Sequence, residues 1–169
     1  GFDVNEPPIL TTTVTVTSNY NTFHVSCFGA TDGSASATPS GGTGPFTYSW
    51  SSGQSSASIT NIGAGNYSVT VTDANACTVA ESVTLTNPPQ ISVTTTITSS
   101  YNGEDISCVG ASDGSANATA SNGVNSYSYA WSNGQTGAAL SNVSAGTYIV
   151  TATDANGCTA TSNVTLQDP

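Results

Sequence analysis

Ala-Gly-Asn-Tyr-Ser-Val-Thr-Val-Thr-Asp-Ala-Asn-Ala-Cys, residues 64–77, returns 81 residues later as Ala-Gly-Thr-Tyr-Ile-Val-Thr-Ala-Thr-Asp-Ala-Asn-Gly-Cys, residues 145–158. Each copy opens on an Ala-Gly turn, alternates along residues 67–72 or 148–153, and closes on Asp-Ala-Asn. A period of two puts Tyr67, Val69 and Val71 on one face of a strand and Ser68, Thr70 and Thr72 on the other. Asp, Asn and Gly then turn the chain, because their backbones and short polar side chains suit turns. The stretch is a strand between two turns, and its recurrence makes the chain a tandem repeat of β-modules.

Outward from this stretch, the same offset carries Cys27, Trp50, Asp73 and Cys77 onto Cys108, Trp131, Asp154 and Cys158. Residues 7–87 align with 88–168 without insertion or deletion, at about half identity, and Pro169 falls where Pro88 falls, as if a third copy were starting. Further alternating, β-branched segments predict strands over 11–18, 34–38, 46–50, 57–62 and 79–86, each with a partner in the second copy. Residues 40–45, rich in Gly, Ser and Pro, predict a turn, and no segment carries a helical period. Short strands, regular turns and units of about 80 residues predict an all-β chain. The expected architecture is two tandem immunoglobulin-like β-sandwich domains of about six to seven strands each, stacked end to end. Residues 1–6 are a leading strand or the end of a preceding module, 7–87 the first repeat and 88–169 the second. Pro88 and Pro89 restrict the junction toward extended backbone. Tyr67 and Tyr148, each after an Ala-Gly turn, suit a tyrosine corner, with the hydroxyl bonding back to upstream backbone.

The chain has no Lys or Arg, one His and ten acidic residues, a net charge of −10. Nucleic acid and anionic lipid surfaces both need cations that this chain lacks. No apolar stretch reaches membrane-spanning length, so neither nucleic acid nor membrane insertion is expected. Trypsin has no cleavage site, which suits an exposed extracellular protein.

Four cysteines, two per repeat and spaced by 50 residues, predict one disulfide per module, Cys27–Cys77 and Cys108–Cys158. Such a loop closure contributes about 4 kcal/mol on the chain-entropy model. Four predicted strands separate the two cysteines of a repeat. If successive strands alternate in direction, an even number returns the chain to the same end of the sandwich, whereas a seven-strand count separates the cysteines.

Each repeat resembles the SprB repeat of surface proteins from gliding and related Bacteroidetes. The resemblance rests on Cys-Phe-Gly-Ala-Thr-Asp-Gly-Ser at 27–34, Gly-Gly-Thr-Gly-Pro-Phe-Thr-Tyr-Ser-Trp at 41–50, and residues 64–77. The second copy departs at Asn122-Gly123-Val124-Asn125, where the Gly-Gly-x-Gly-Pro turn is lost. The resemblance implies a large, tandemly repeated cell-surface adhesin exported by the type IX route, and no catalysis.

Several residues are candidate sites. Asp32 and Asp73, repeated as Asp113 and Asp154, make a candidate Ca2+ site, since hard cations take several carboxylate and carbonyl oxygens. Turn chemistry is the competing explanation, and no other cofactor is expected. Asn66, Asn117, Asn142 and Asn163 begin Asn-x-Ser/Thr triplets that are candidate glycosylation sites. Phe2 and Val4 are candidate anchors of a strand donated to a neighbouring subunit. Trp50 and Trp131, with Tyr48 and Tyr129, are expected in the core, a sugar-stacking platform being the alternative. His24 has no counterpart in the second repeat, so no Ser-His-Asp set exists in both copies. The expected function is a structural repeat module of an extracellular bacterial filament or adhesin stalk. It would assemble end to end with copies of itself or with further repeats of the same chain. The alternative is a carbohydrate- or calcium-binding module of a cell-surface adhesin.

Overall fold

Tyr67, Val69 and Val71 do form one face of a strand. In a computed structural model that describes residues 8–169, Val69 and Val71 are wholly buried while Ser68 and Thr70 face out. The chain divides into two units with their boundary between Pro88 and Pro89. The leading residues 1–6, with the proposed anchors Phe2 and Val4, lie outside the described residues.

Among the described residues, each unit has six strands. In the first they are β1 (Thr11–Val16), β2 (Gly33–Ser40), β3 (Thr47–Trp50), β4 (Ser58–Ile62), β5 (Gly65–Thr72) and β6 (Thr78–Leu85). In the second they are β7 (Ser92–Ile97), β8 (Gly114–Ser121), β9 (Ser128–Trp131), β10 (Ala139–Val143), β11 (Gly146–Thr153) and β12 (Thr159–Leu166). Two three-stranded antiparallel sheets form in each, β1-β2-β4 with β3-β5-β6, and β7-β8-β10 with β9-β11-β12. The chain is two tandem all-β sandwiches.

Alternation decides the core. Ala35 and Ala37 of β2, Ile59 of β4, and Val69 and Val71 of β5 turn inward, and Trp50 is buried among them. Ala116, Ala118, Leu140, Val150 and Trp131 repeat the arrangement. The small residues of the central strand leave room for the indole. Each indole Nε1–H is satisfied, donating to the Ser56 carbonyl at 2.9 Å or the Gly137 carbonyl at 3.1 Å. The tyrosine corners are present: the Tyr67 hydroxyl donates to the Gly63 carbonyl at 3.1 Å and that of Tyr148 to the Ser144 carbonyl at 3.0 Å.

Strand direction defines two ends of each sandwich. At the proximal pole β1 begins, β2 ends and β5 turns into β6. At the distal pole β1 turns toward β2 and β6 ends, the His24 N–H donating to the Thr86 carbonyl at 3.1 Å. β3 starts at the proximal pole, where Thr47 faces Thr72, and reaches only Val69, halfway along β5. β4 then runs from Ser58, opposite Ser36, to Ile62, opposite Gly33 at the distal pole. The two short strands therefore point the same way. One covers the proximal half of one sheet, and the other covers the distal half of the opposite sheet.

A bulge ends β4. Asn61 and its counterpart Asn142 have φ of 56° and 53° at the register shifts beside Gly33 and Gly114. Asn tolerates this left-handed conformation better than other residues with a Cβ. The open edge of β4 is covered by Gln54, whose amide accepts the Thr60 N–H and donates to the Thr60 carbonyl. Gln135 does the same for Ser141. Satisfying an edge strand in this way leaves fewer groups free to pair with another chain.

Candidate functional site

At the proximal pole, Asp73 is a buried carboxylate that gathers three backbone donors. Its Oδ1 accepts the N–H groups of Asn75 and Cys77 at 2.9 Å each, and its Oδ2 accepts that of Thr43 at 3.0 Å. Asp154 takes the same bonds from Asn156, Cys158 and Val124, all at 2.9 Å. The carboxylate thus ties the β5–β6 turn to the β2–β3 turn. The Thr43 N–H foremost, helped by those of Cys77 and Asn75 against the opposing effect of desolvation, holds Asp73 below the ordinary carboxylate pKa. Gly42 makes the approach possible. Its φ is 61°, and an added Cβ would meet the Asp73 carboxylate at 3.1 Å.

At the distal pole, the Asp32 carboxylate accepts the Ser26 N–H at 3.0 Å, and Asp113 accepts that of Ser107 at 3.2 Å. Desolvation pushes Asp32 up, but the hydrogen bonds of Ser26, its own N–H and Tyr20 outweigh it and leave the group below its ordinary value. The Ser107 hydroxyl does the same for Asp113, again against desolvation. Each of these aspartates therefore orders its own loop.

The calcium pairing is corrected by this placement. Asp32 and Asp73 sit at opposite poles, as do Asp113 and Asp154, because β2 begins at one end and β5 finishes at the other. Among the described residues no group of three or more His, Cys, Asp or Glu side chains is gathered as a metal centre requires.

The disulfide pairing is corrected for the same reason. Cys27 lies in the distal loop between β1 and β2, and Cys77 in the proximal turn before β6. The eight residues of β5 span about 25 Å between the poles, whereas a disulfide tolerates about 7 Å between Cα atoms. Cys108 and Cys158 are separated in the same way. Cys77 and Cys108 are free, exposed thiols, and the disulfide-bonded cysteines are Cys27 and Cys158. The count of six strands is met, but the inference that the chain alternates direction at every strand fails at β3 and β4.

The remaining candidates fall on the sandwich faces. Asn66 on β5, Asn142 at the bulge of β10 and Asn163 on β12 are exposed, and Asn117 on β8 is half-buried. Trp50 and Trp131 are buried and offer no stacking platform. Sequence reasoning missed an apolar residue next to each distal cysteine. Phe28 is 58% exposed and Val109 74%, while Ile9 is 86% exposed at the proximal end of the first unit. The only signal was a large apolar side chain in a Gly-rich loop.

The family model described as the SprB repeat matches residues 19–55 and 100–136, segments that start 81 residues apart. No curated protein matches the chain. Among solved structures, it is similar to a crystal structure of the C-terminal 282-residue fragment of intimin in complex with the intimin-binding domain of the translocated intimin receptor. That match has 14% identity and a TM-score of 0.41, covering 94% of this chain and 64% of the fragment. The chain thus spans less than two thirds of that fragment's length. It is also similar to the amphioxus IgVJ-C2 molecule, with 19% identity and a TM-score of 0.32, covering 74% of this chain and 89% of the other. The motif-bearing loop, β2, β3 and Trp of each sandwich lie within the matched segments, so each sandwich is similar over that stretch to the SprB repeat, whose family is associated with cell-surface proteins.

Proposed function

We propose that these SprB repeats are structural modules of an extracellular bacterial filament or adhesin stalk, and that they assemble end to end. One observation carries this reading. Each sandwich receives the chain at its proximal pole and releases it at its distal pole, a path through the module that suits a tandem array. Supporting features are the buried tryptophans, the aspartates committed to backbone N–H groups, and the absence of Lys and Arg. The modules act mechanically, by projecting or linking a surface assembly, and perform no catalysis. The exposed Asn66, Asn142 and Asn163 are proposed carriers of glycans on the outer faces, where a sugar meets no packed neighbour.

Electron microscopy of the purified chain tests the reading. Regular filaments with an axial repeat of one or two domain lengths are expected. Monodisperse, compact monomers that are retained on a glycan array would overturn it in favour of a carbohydrate-binding module.

A further inference from the structure

Asn-Gly pairs occur at 102–103, 122–123, 133–134 and 156–157, and all four fall in the second repeat. Asn before Gly readily loses its side-chain amide, because the Gly nitrogen can attack the Asn Cγ with no Cβ of its own in the way. The attack needs a free nitrogen, since an N–H engaged in a hydrogen bond must first give that bond up.

Three of these pairs are held in place. The Gly134 N–H donates to the Trp131 carbonyl at 2.9 Å, and the Asn133 Oδ1 accepts the Gln135 N–H at 3.2 Å. The Gly157 N–H donates to the Asp154 carbonyl at 3.0 Å. Gly123 is packed, since an added Cβ would lie 2.6 Å from Asp154 Oδ2 and 3.0 Å from Ile91 Cβ, and the Asn122 Nδ2 donates to the Ser92 hydroxyl at 3.4 Å. Asn102-Gly103 differs. It is the exposed tip of a two-residue turn, with φ of 54° and 99°, closed by reciprocal backbone bonds between Tyr101 and Glu104 at 2.8 and 3.1 Å. Nothing lies within 4 Å of the place a Cβ on Gly103 would take. Among the described residues, the Gly103 N–H meets no acceptor.

The first repeat shows what holding this turn takes. Its tip is Asn21-Thr22, where the Thr22 N–H donates to Asn19 Oδ1 at 3.2 Å and the β-branched side chain crowds the nitrogen. The second repeat has Ser100 and Gly103 at the places of Asn19 and Thr22. We infer that Asn102 is a self-modification site, converting to isoaspartate or aspartate without an enzyme. The Gly103 nitrogen forms a bond to Asn102 Cγ, the Cγ–Nδ2 bond breaks, and ammonia leaves with the proton of the Gly103 N–H. Water then opens the succinimide ring at either carbonyl. The product adds a carboxylate to a chain with no Lys or Arg to offset it, and isoaspartate also lengthens the backbone at the tip. The altered loop is the one whose Asp105 carboxylate accepts the Gln167 N–H at 3.0 Å, just after β12.

The test ages the folded chain in warm, mildly alkaline buffer beside the same chain in urea. Both are digested with chymotrypsin, since trypsin has no site, and sequenced by electron-transfer mass spectrometry. In urea the four pairs should convert at similar rates. In the folded chain Asn102 should convert severalfold faster than Asn122, Asn133 and Asn156. Conversion at any of those three that matches Asn102 in the folded chain would overturn the inference, as would an intact Asn102 where the urea sample converts. Ser100→Asn/Gly103→Thr installs the first repeat's turn and should suppress conversion at Asn102. Asn19→Ser/Thr22→Gly makes the reverse exchange and should create conversion at Asn21, with circular dichroism checking that each variant is folded. An Asn21 that stays intact in the folded second variant would show that the turn does not carry the reactivity, and would overturn the inference too.

Discussion

The two repeats solve the same packing problem with different residues, and their differences separate what the fold demands from what it tolerates. At the proximal turn, Gly41 with φ of 71° becomes Asn122 with φ of 60°, a residue that also accepts the left-handed region. The Gly-Gly-x-Gly-Pro motif is lost there, yet the turn survives. Val124 bonds Asp154 as Thr43 bonds Asp73, and the following turn closes in both copies, with Ala74 N–H to the Thr43 carbonyl and Ala155 N–H to that of Val124. At the distal pole, Thr86 donates its N–H to His24 Nδ1 and Gln167 donates to Asp105 Oδ2, both at 3.0 Å. An acceptor is required at that place, but its identity is free. Pro39 stands where the second repeat has Ala120. The Ala120 N–H points past the end of the partner strand and is taken by the Tyr129 hydroxyl at 3.0 Å, so removing it with proline breaks no ladder bond. What does not change is Trp50/Trp131, Gly33/Gly114, Asp73/Asp154 and Gln54/Gln135.

The largest effect is expected at the invariant tryptophan. Trp50→Ala leaves a cavity in the first repeat and should cost that repeat about 3–5 kcal/mol. Fluorescence of the remaining Trp131, set against circular dichroism of the whole chain in a denaturant titration, reports the repeats separately. A matching loss of stability in the second repeat would break the idea that the units have separate cores.

Gly33→Ala tests a glycine kept for space. Its Cβ would lie 2.7 Å from the Ile62 carbonyl oxygen and 2.6 Å from Leu85 Cδ2. Gly114 has the equivalent neighbours, the Val143 carbonyl at 2.8 Å and Leu166 Cδ2 at 2.5 Å. Either substitution should cost its own repeat about 1–3 kcal/mol, measured by urea unfolding. A loss in only one repeat would show that the close approach is not shared.

Thr12 and Val93 give a comparison with the opposite sign. The Thr12 hydroxyl is buried and has no hydrogen-bond partner, and the second repeat has Val93 at that position. Thr12→Val should stabilise by about 1 kcal/mol, which for a domain of this size raises Tm by about 4–8 °C. Val93→Thr should lower it by a similar amount. Scanning calorimetry of the two variants checks both directions.

The smallest expected effect is on the acid limb. Asp73 is held below its ordinary value of 3.8 in the folded state. Its contribution is therefore present above the unfolded pKa and is lost as pH falls through the folded one. Tm should drop below about pH 4, and Asp73→Asn should flatten that drop in the first repeat. An unchanged acid limb in the variant would show that Asp73 does not carry it.

The strands, the period and the core faces were legible because alternation reports which side of a strand is buried. Tyr67, Val69, Val71 and Trp50 needed no more than that. Direction was not legible, because a period of two says nothing about which way a strand runs. Residues 51–57 read equally well as a hairpin loop or as a crossing between sheets, and the strand expected over 46–50 did not tell the two apart. That one crossing moved Cys77 and Asp73 to the pole opposite Cys27 and Asp32, and with them both the disulfide and calcium expectations. The exposed Phe28 and Val109 were hidden for another reason, since nothing in the local sequence distinguishes an apolar loop residue that packs from one that does not.

Thiol accessibility tests the central claim, that every repeat separates its two cysteines to opposite poles, most directly. The native chain is alkylated with iodoacetamide without reduction, digested with chymotrypsin and mapped by mass spectrometry. The account predicts label on Cys77 and Cys108, with Cys27 and Cys158 protected until a reductant is added. Recovery of a Cys27–Cys77 or Cys108–Cys158 peptide would contradict it.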